Sequence, residues 1–130
     1  MNARHLIMFG FAPFALTACS QYEPAAAPAV SPAAQVIGPA QSCISLAQIR
    51  STRIRDDFTI DFMGAGDNVW RNTLPNRCPG LKSADAFSYE TSLTQLCGTD
   101  VIRVLERMGG TPRPGTACGL GQFVPVKLER

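Results

Sequence analysis

The side chains in this chain best equipped for chemistry are five cysteines, a set of carboxylates and an arginine-rich stretch. Cys43, Cys78, Cys97 and Cys118 form an even set, which reads as two disulfides in an exported domain. A metal site needs ligands gathered at short spacing, such as paired C-x₂-C. No two of these four cysteines lie within four positions of each other, and the one histidine is His5. Beyond it there is no partner for a Ser–His or Cys–His nucleophile, and no C-x-x-C for thiol exchange. The acids Asp56, Asp57, Asp61, Asp67, Asp85, Glu90 and Asp100 remain. A glycosidase-like reaction needs two of them about 5–9.5 Å apart across a cleft, and nothing in their spacing places a pair in one. Gly64-Ala65-Gly66 lacks the third glycine and the following helix of a phosphate-binding loop. No catalytic residue, metal or cofactor is therefore expected.

Arg50, Arg53 and Arg55 sit on one expected strand, facing Asp56, Asp57 and Asp61 in the adjoining turn and strand, with Arg71 placed on a neighbouring strand. Guanidinium groups so arranged suit an anion: a lipid A phosphate, a carboxylated glycan or a partner's acidic patch. The plainer reading, and the preferred one, is a solvated sheet face carrying cross-strand ion pairs. The formal charge of the whole chain is +2. Without its first eighteen residues it falls to about +1, which implies neither nucleic acid nor an acidic membrane surface as partner. Trp70, Phe87, Tyr89 and Phe123 could line a cavity, but in so small a domain they read as core.

Hydrophobic periodicity supplies the elements that hold these groups. Phe58-Thr59-Ile60-Asp61-Phe62-Met63 alternates, with Phe58, Ile60 and Phe62 on one face. Val69 to Leu74 alternates again, with Trp70 and Leu74 inward, and Gly64-Ala65-Gly66-Asp67-Asn68 between them is turn chemistry. The pair predicts a hairpin. Ile49–Arg55, Phe87–Tyr89, Val101–Leu105 and Phe123–Val126 read as further strands, with Pro125 on an edge because it has no N–H for a ladder. Ser92-Leu93-Thr94-Gln95 fits a capping box, predicting one helical turn that ends at Gly98. Ser45–Gln48 suggests another turn, and Thr111-Pro112-Arg113-Pro114-Gly115 a loop. The expected fold is mostly β: a small antiparallel meander or partly open barrel of five to six short strands, with one or two helical turns and two disulfides. Four cysteines allow three pairings. In a meander Cys43 and Cys97 fall at one end and Cys78 and Cys118 at the other. A bridge needs Cα atoms within about 7 Å, so Cys43–Cys97 and Cys78–Cys118 are favoured.

The N-terminus has a different character. Arg4 precedes an apolar run, Leu6 to Ala18, that reaches about 20 Å as a helix. That is short for a bilayer core of about 30 Å, and Pro13 weakens it. The layout is that of an export signal. Leu16-Thr17-Ala18-Cys19 resembles the lipobox of bacterial lipoproteins, in contrast to a free cysteine past an ordinary cleavage site. That resemblance implies diacylglycerol on Cys19, cleavage before it, and, with Ser20 following, sorting to the outer membrane. More than one buried acyl chain makes a stable anchor. Gln21 to Gln41 is Ala- and Pro-rich, the composition of an extended spacer reaching about 60 Å, although a Pro-rich recognition segment has the same composition. The expected organisation is thus signal 1–18, lipidated Cys19 and linker 19–42, and folded domain 43–130.

The folded part carries Cys43-Ile44-x-Leu46-x-x-Ile49, Asn72-x-Leu74-Pro75-x-x-Cys78-Pro79-Gly80-Leu81, Phe87-Ser88-Tyr89-x-Thr91-Ser92, Leu96-Cys97 and Cys118-Gly119-Leu120-Gly121-x-Phe123-x-Pro125-Val126. This series resembles an uncharacterised family of small Gram-negative envelope proteins, a domain of unknown function. The resemblance implies export and a shared fold, and it transfers no activity. The expectation is an outer-membrane-anchored, non-enzymatic binding or structural module facing the periplasm, with an envelope protein or glycan as partner and no nucleic acid. Its rivals are an inhibitor of an exogenous cell-wall hydrolase and a carboxylate-dependent hydrolase.

Overall fold

A computed structural model describes residues 29–30, 32–91 and 93–130. The segment expected to be a signal, Cys19 and the first part of the expected linker lie outside the described residues. Ten strands run in chain order: β1 Ala34–Val36, β2 Cys43–Ser45, β3 Ser51–Ile54, β4 Thr59–Met63, β5 Val69–Thr73, β6 Phe87–Tyr89, β7 Gln95–Cys97, β8 Val101–Met108, β9 Thr111–Gly119 and β10 Phe123–Leu128. A 3₁₀ turn spans Leu46–Gln48 and one helical turn, α1, spans Leu81–Ala84. The strands form a five-stranded sheet ordered β1-β10-β5-β4-β3, a pair β2-β7, and a three-stranded sheet β6-β8-β9. Every pairing is antiparallel. Among the described residues the fold is mostly β with two disulfides and no closed barrel, as expected; its strands are more numerous than the periodicity suggested, and β8 and β10 run further than their patterns did.

All three sheets turn their apolar side chains onto one core. Ile60 and Phe62 of β4, Phe123 of β10, Leu96 of β7, and Ile102 and Val104 of β8 are fully buried. Phe62 lies edge-on to Phe123 at 5.3 Å and to Phe87 at 6.3 Å between ring centroids, the arrangement that aromatic quadrupoles favour. Trp70 and Phe87 pack partly buried against this cluster, while Tyr89 is exposed. The predicted hairpin is present, with Met63 opposite Val69 and Phe62 opposite Trp70.

Cys43–Cys97 and Cys78–Cys118 are the bridges, as the topology favoured. The first joins residues directly opposite each other on β2 and β7, with Cα atoms 4.0 Å apart. Direct strand pairing, rather than the shared end of a meander, brings them together.

Several local expectations give way to long-range partners. The segment expected to be linker up to residue 42 enters the fold before its end. Pro32 and Pro39 leave a proline-free run between them, and Ala34–Val36 uses it to pair with Val126–Leu128. Where a helical turn was expected from the Ser92-x-x-Gln95 pattern, Gln95–Cys97 is strand. The Leu46 N–H donates to Thr94 O at 2.9 Å and the Gly98 N–H to Ser42 O at 2.8 Å. A lone helical turn is costly to nucleate, and the β2 ladder with its disulfide outweighs it. The expected loop Thr111–Gly115 is part of β9, which pairs with β8 through a two-residue turn at Gly109 and Gly110. Both glycines have positive φ, 71° and 90°, as a tight hairpin turn matching strand twist requires. Pro112 and Pro114 are tolerated because β9 is the edge of its sheet. Pro125, by contrast, is not on an edge. Its carbonyl accepts from Ile37 N at 3.0 Å on the β1 side, just past the last β1 pair. Its missing N–H faces that same side, so the β5 ladder loses nothing.

Candidate functional site

The arginine-rich face divides into two. Arg53, Asp61 and Arg71 stand opposite one another across β3, β4 and β5. Asp61 is completely buried. Arg71 clasps it with two bonds, Nε to Oδ1 at 2.7 Å and Nη2 to Oδ2 at 2.9 Å, and Arg55 Nε donates to Oδ2 at 2.7 Å. Arg71 Nη2 also donates to the Pro32 carbonyl at 3.0 Å, so the chain entering β1 lies against this cluster. A planar guanidinium meeting a carboxylate in this two-bond way is the strongest common ion-pair geometry. Arg55 and Arg71 are thus committed to Asp61. Arg50 and Arg53 are exposed and make no ion pair among the described residues. The four arginines weighed as an anion-binding face are therefore not one free set, since two of them are held in ion pairs.

Beside β3 lies a polar groove of about 470 Å³, lined by Thr52, Arg53 and Ile54 of β3, by Lys82 and Asp85, and by Phe87 of β6. Ile54 O accepts from Lys82 Nζ at 3.0 Å. α1, which carries Lys82, was not anticipated because its cap is remote. The Asp57 carboxylate accepts from the Lys82 backbone N–H at 2.9 Å across 25 residues of sequence, and from Arg77 Nη2 at 2.8 Å. The Lys82 N–H first, and then Arg77, hold the Asp57 carboxyl below its ordinary 3.8 against the opposing effect of partial burial.

The distal half of the β8–β9 hairpin is an arm. Glu106 to Pro114 are all exposed, with Glu106 opposite Arg113 and Arg107 opposite Pro112. Met108 at its tip is 71% exposed, an apolar side chain held out in water at the end of a ladder that contributes nothing to the core.

Among the carboxylates, Asp61 is saturated by its arginines. Asp67 and Glu129 line one shallow groove near the chain end with Lys127 and Arg130. Both are exposed. Among the described residues no three His, Cys, Asp or Glu side chains gather as metal ligands would, and no helix is long and apolar enough to cross a membrane. Compared with known proteins, the chain matches no family, no curated protein and no solved structure.

Proposed function

We propose that this chain is an outer-membrane lipoprotein, anchored through Cys19, whose folded domain is a non-enzymatic binding or structural module in the periplasm. The lipobox-like run Leu16-Thr17-Ala18-Cys19 supports the address. The β8–β9 arm carries the binding reading. Two strands extended past the core, with Arg107, Arg113 and Met108 presented to solvent, have no role in packing. Arginine and methionine are also enriched where protein surfaces meet. The same arm supports the inhibitor reading in second place, since a projecting hairpin is the shape that enters an enzyme's cleft.

The test is photo-crosslinking in the native envelope from a reactive analogue at Thr116, an exposed β9 position beside the arm that both forms of the chain keep. A second form has Glu106–Arg113 replaced by an Asn-Gly turn. A discrete partner captured by the full arm and lost with the short one supports the proposal, and a cell-wall hydrolase as that partner selects the inhibitor reading. Equal capture by both forms refutes the arm. Mass spectrometry of the N-terminal fragment tests the anchor, because an unacylated Cys19 in the native host overturns it.

A further inference from the structure

Sheets leave edges, and this chain treats its edges unequally. β1 is bracketed by Pro32 and Pro39, and β9 carries Pro112 and Pro114. Prolines blunt an edge against stray pairing. The two remaining edges of the larger sheets, β3 and β6, contain no proline, and both contribute residues to the lining of the same groove. Register decides which backbone groups face it. The Arg55 N–H donates to Thr59 O and the Leu105 N–H to Ala86 O, so alternate residues, Thr52, Ile54 and Phe87, turn their N–H and C=O groups outward. Among the described residues only one of these groups, Ile54 O, has a partner, and that partner is Lys82 Nζ.

We propose that this groove seats an extended peptide bearing acidic side chains, added as a strand between β3 and β6. Strand rise, strand spacing and sheet spacing of about 3.3, 4.8 and 10 Å give about 160 Å³ per strand residue. The groove's 470 Å³ therefore holds about three residues, the length of β6 and one fewer than β3. Backbone pairing supplies binding in this mode, and alternate side chains supply selectivity. Charge sets the selectivity here. An incoming strand competes with Lys82 for Ile54 O, so the ammonium needs a new partner, and Arg53 beside it has none. A glutamate or aspartate on the peptide satisfies both, and a lysine satisfies neither. Asp85 is the one acid on the groove wall, which places the peptide's acids toward the β3 side. This site is separate from the β8–β9 arm, so either can fail without the other.

The test uses the full chain, oxidised, with three capped heptapeptides: alternating Val and Glu, alternating Val and Lys, and the Val-Glu peptide N-methylated at alternate residues. Backbone amide exchange is followed by NMR. The Val-Glu peptide should slow exchange at Thr52, Ile54 and Phe87, with the Val-Lys peptide at least about tenfold weaker, about 1.4 kcal/mol shared between the contacts to Arg53 and Lys82 and the repulsion a lysine meets there. The N-methylated peptide should give no protection. Arg53→Glu should lower affinity for the Val-Glu peptide, and Lys82→Gln should narrow the gap between the two charges. Thr52→Pro, which removes only an outward N–H, should weaken binding without unfolding the domain. No protection of these amides, equal binding of the N-methylated peptide, or equal binding of Val-Lys overturns the proposal. So does full protection by inorganic phosphate alone, which marks a simple anion site. Protection without peptide that grows with protein concentration marks a second copy as occupant and overturns it too.

Discussion

Replacing Asp61 by Asn tests whether the buried charge cluster organises the five-stranded sheet. Asp61 is wholly buried, and the side chains of Arg71 and Arg55 are only 12% and 20% exposed. The substitution keeps the volume and removes the charge that both guanidinium groups face. Losing one partner of a buried pair costs about 3–5 kcal/mol because the other charge is left uncompensated. Since each arginine retains some access to water, we expect the lower end, about 3 kcal/mol. In a domain of this size that lowers Tm by about 12–24 °C, and it is a large share of a total stability of about 5–15 kcal/mol. Urea unfolding at neutral pH with the disulfides intact, followed by the fluorescence of Trp70, the one tryptophan, measures it. The control is Arg77→Ala, whose partner Asp57 is met by a side chain 64% exposed; an exposed pair is worth at most about 1 kcal/mol. Adding Arg55→Met to Asp61→Asn removes one orphaned cation and should restore part of the loss. If Asp61→Asn costs no more than Arg77→Ala, or the double variant is worse than the single, the cluster is not what holds this face.

Asn72 is fully buried, and its amide pairs with both backbone groups of Gly121, Nδ2 to O at 2.7 Å and Oδ1 from N at 2.8 Å. Asn72→Ala should cost about 2–4 kcal/mol by orphaning both, read by the same unfolding curve. Gly121→Ala should fail more completely, because a Cβ there runs into the Thr73 carbonyl oxygen. Reducing both bridges, which close separations of 54 and 40 residues, should remove about 4 kcal/mol each in the chain-entropy model. Circular dichroism in reductant should therefore show an unfolded chain at room temperature. Asp57 makes a pH prediction. Its carboxyl is depressed in the folded state, so its stabilisation is present above the ordinary 3.8 and is lost as pH falls through the lower folded value. The difference in Tm between the wild type and Asp57→Asn should be constant above about pH 5 and shrink steadily in more acidic buffer.

The strands that the sequence reveals are those whose residues report on their own surroundings. Ile60, Phe62, Ile102 and Val104 are apolar at every second position because one face of each strand meets the core, and that face is enough to locate β4 and β8. Asp61 shows the limit of this logic. Alternation implies that its face is wet, yet Arg71, Arg55 and the chain near Pro32 close over it. The partners come from 10, 6 and 29 residues away in sequence, and no local window contains them.

The misread segments share a physical cause. Ala34–Val36 and Thr111–Gly119 are mostly exposed and Gln95–Cys97 buries Leu96 without any alternation around it; all three are strands because an open ladder lies beside them: β10 for the first, β2 for the second and β8 for the third. Their composition is free to satisfy other demands, such as prolines against stray pairing or a hydroxyl that bends a loop. The same freedom explains why the candidate sites were hard to see. Arg53 and Lys82 line one groove because Asp57, 25 residues upstream of Lys82, caps α1, and the arm is tolerated because Pro112 and Pro114 are acceptable on an edge. Apolar periodicity therefore locates the body of this domain, while the surfaces with binding chemistry lie on the edges, where pairing across the chain overrides local pattern.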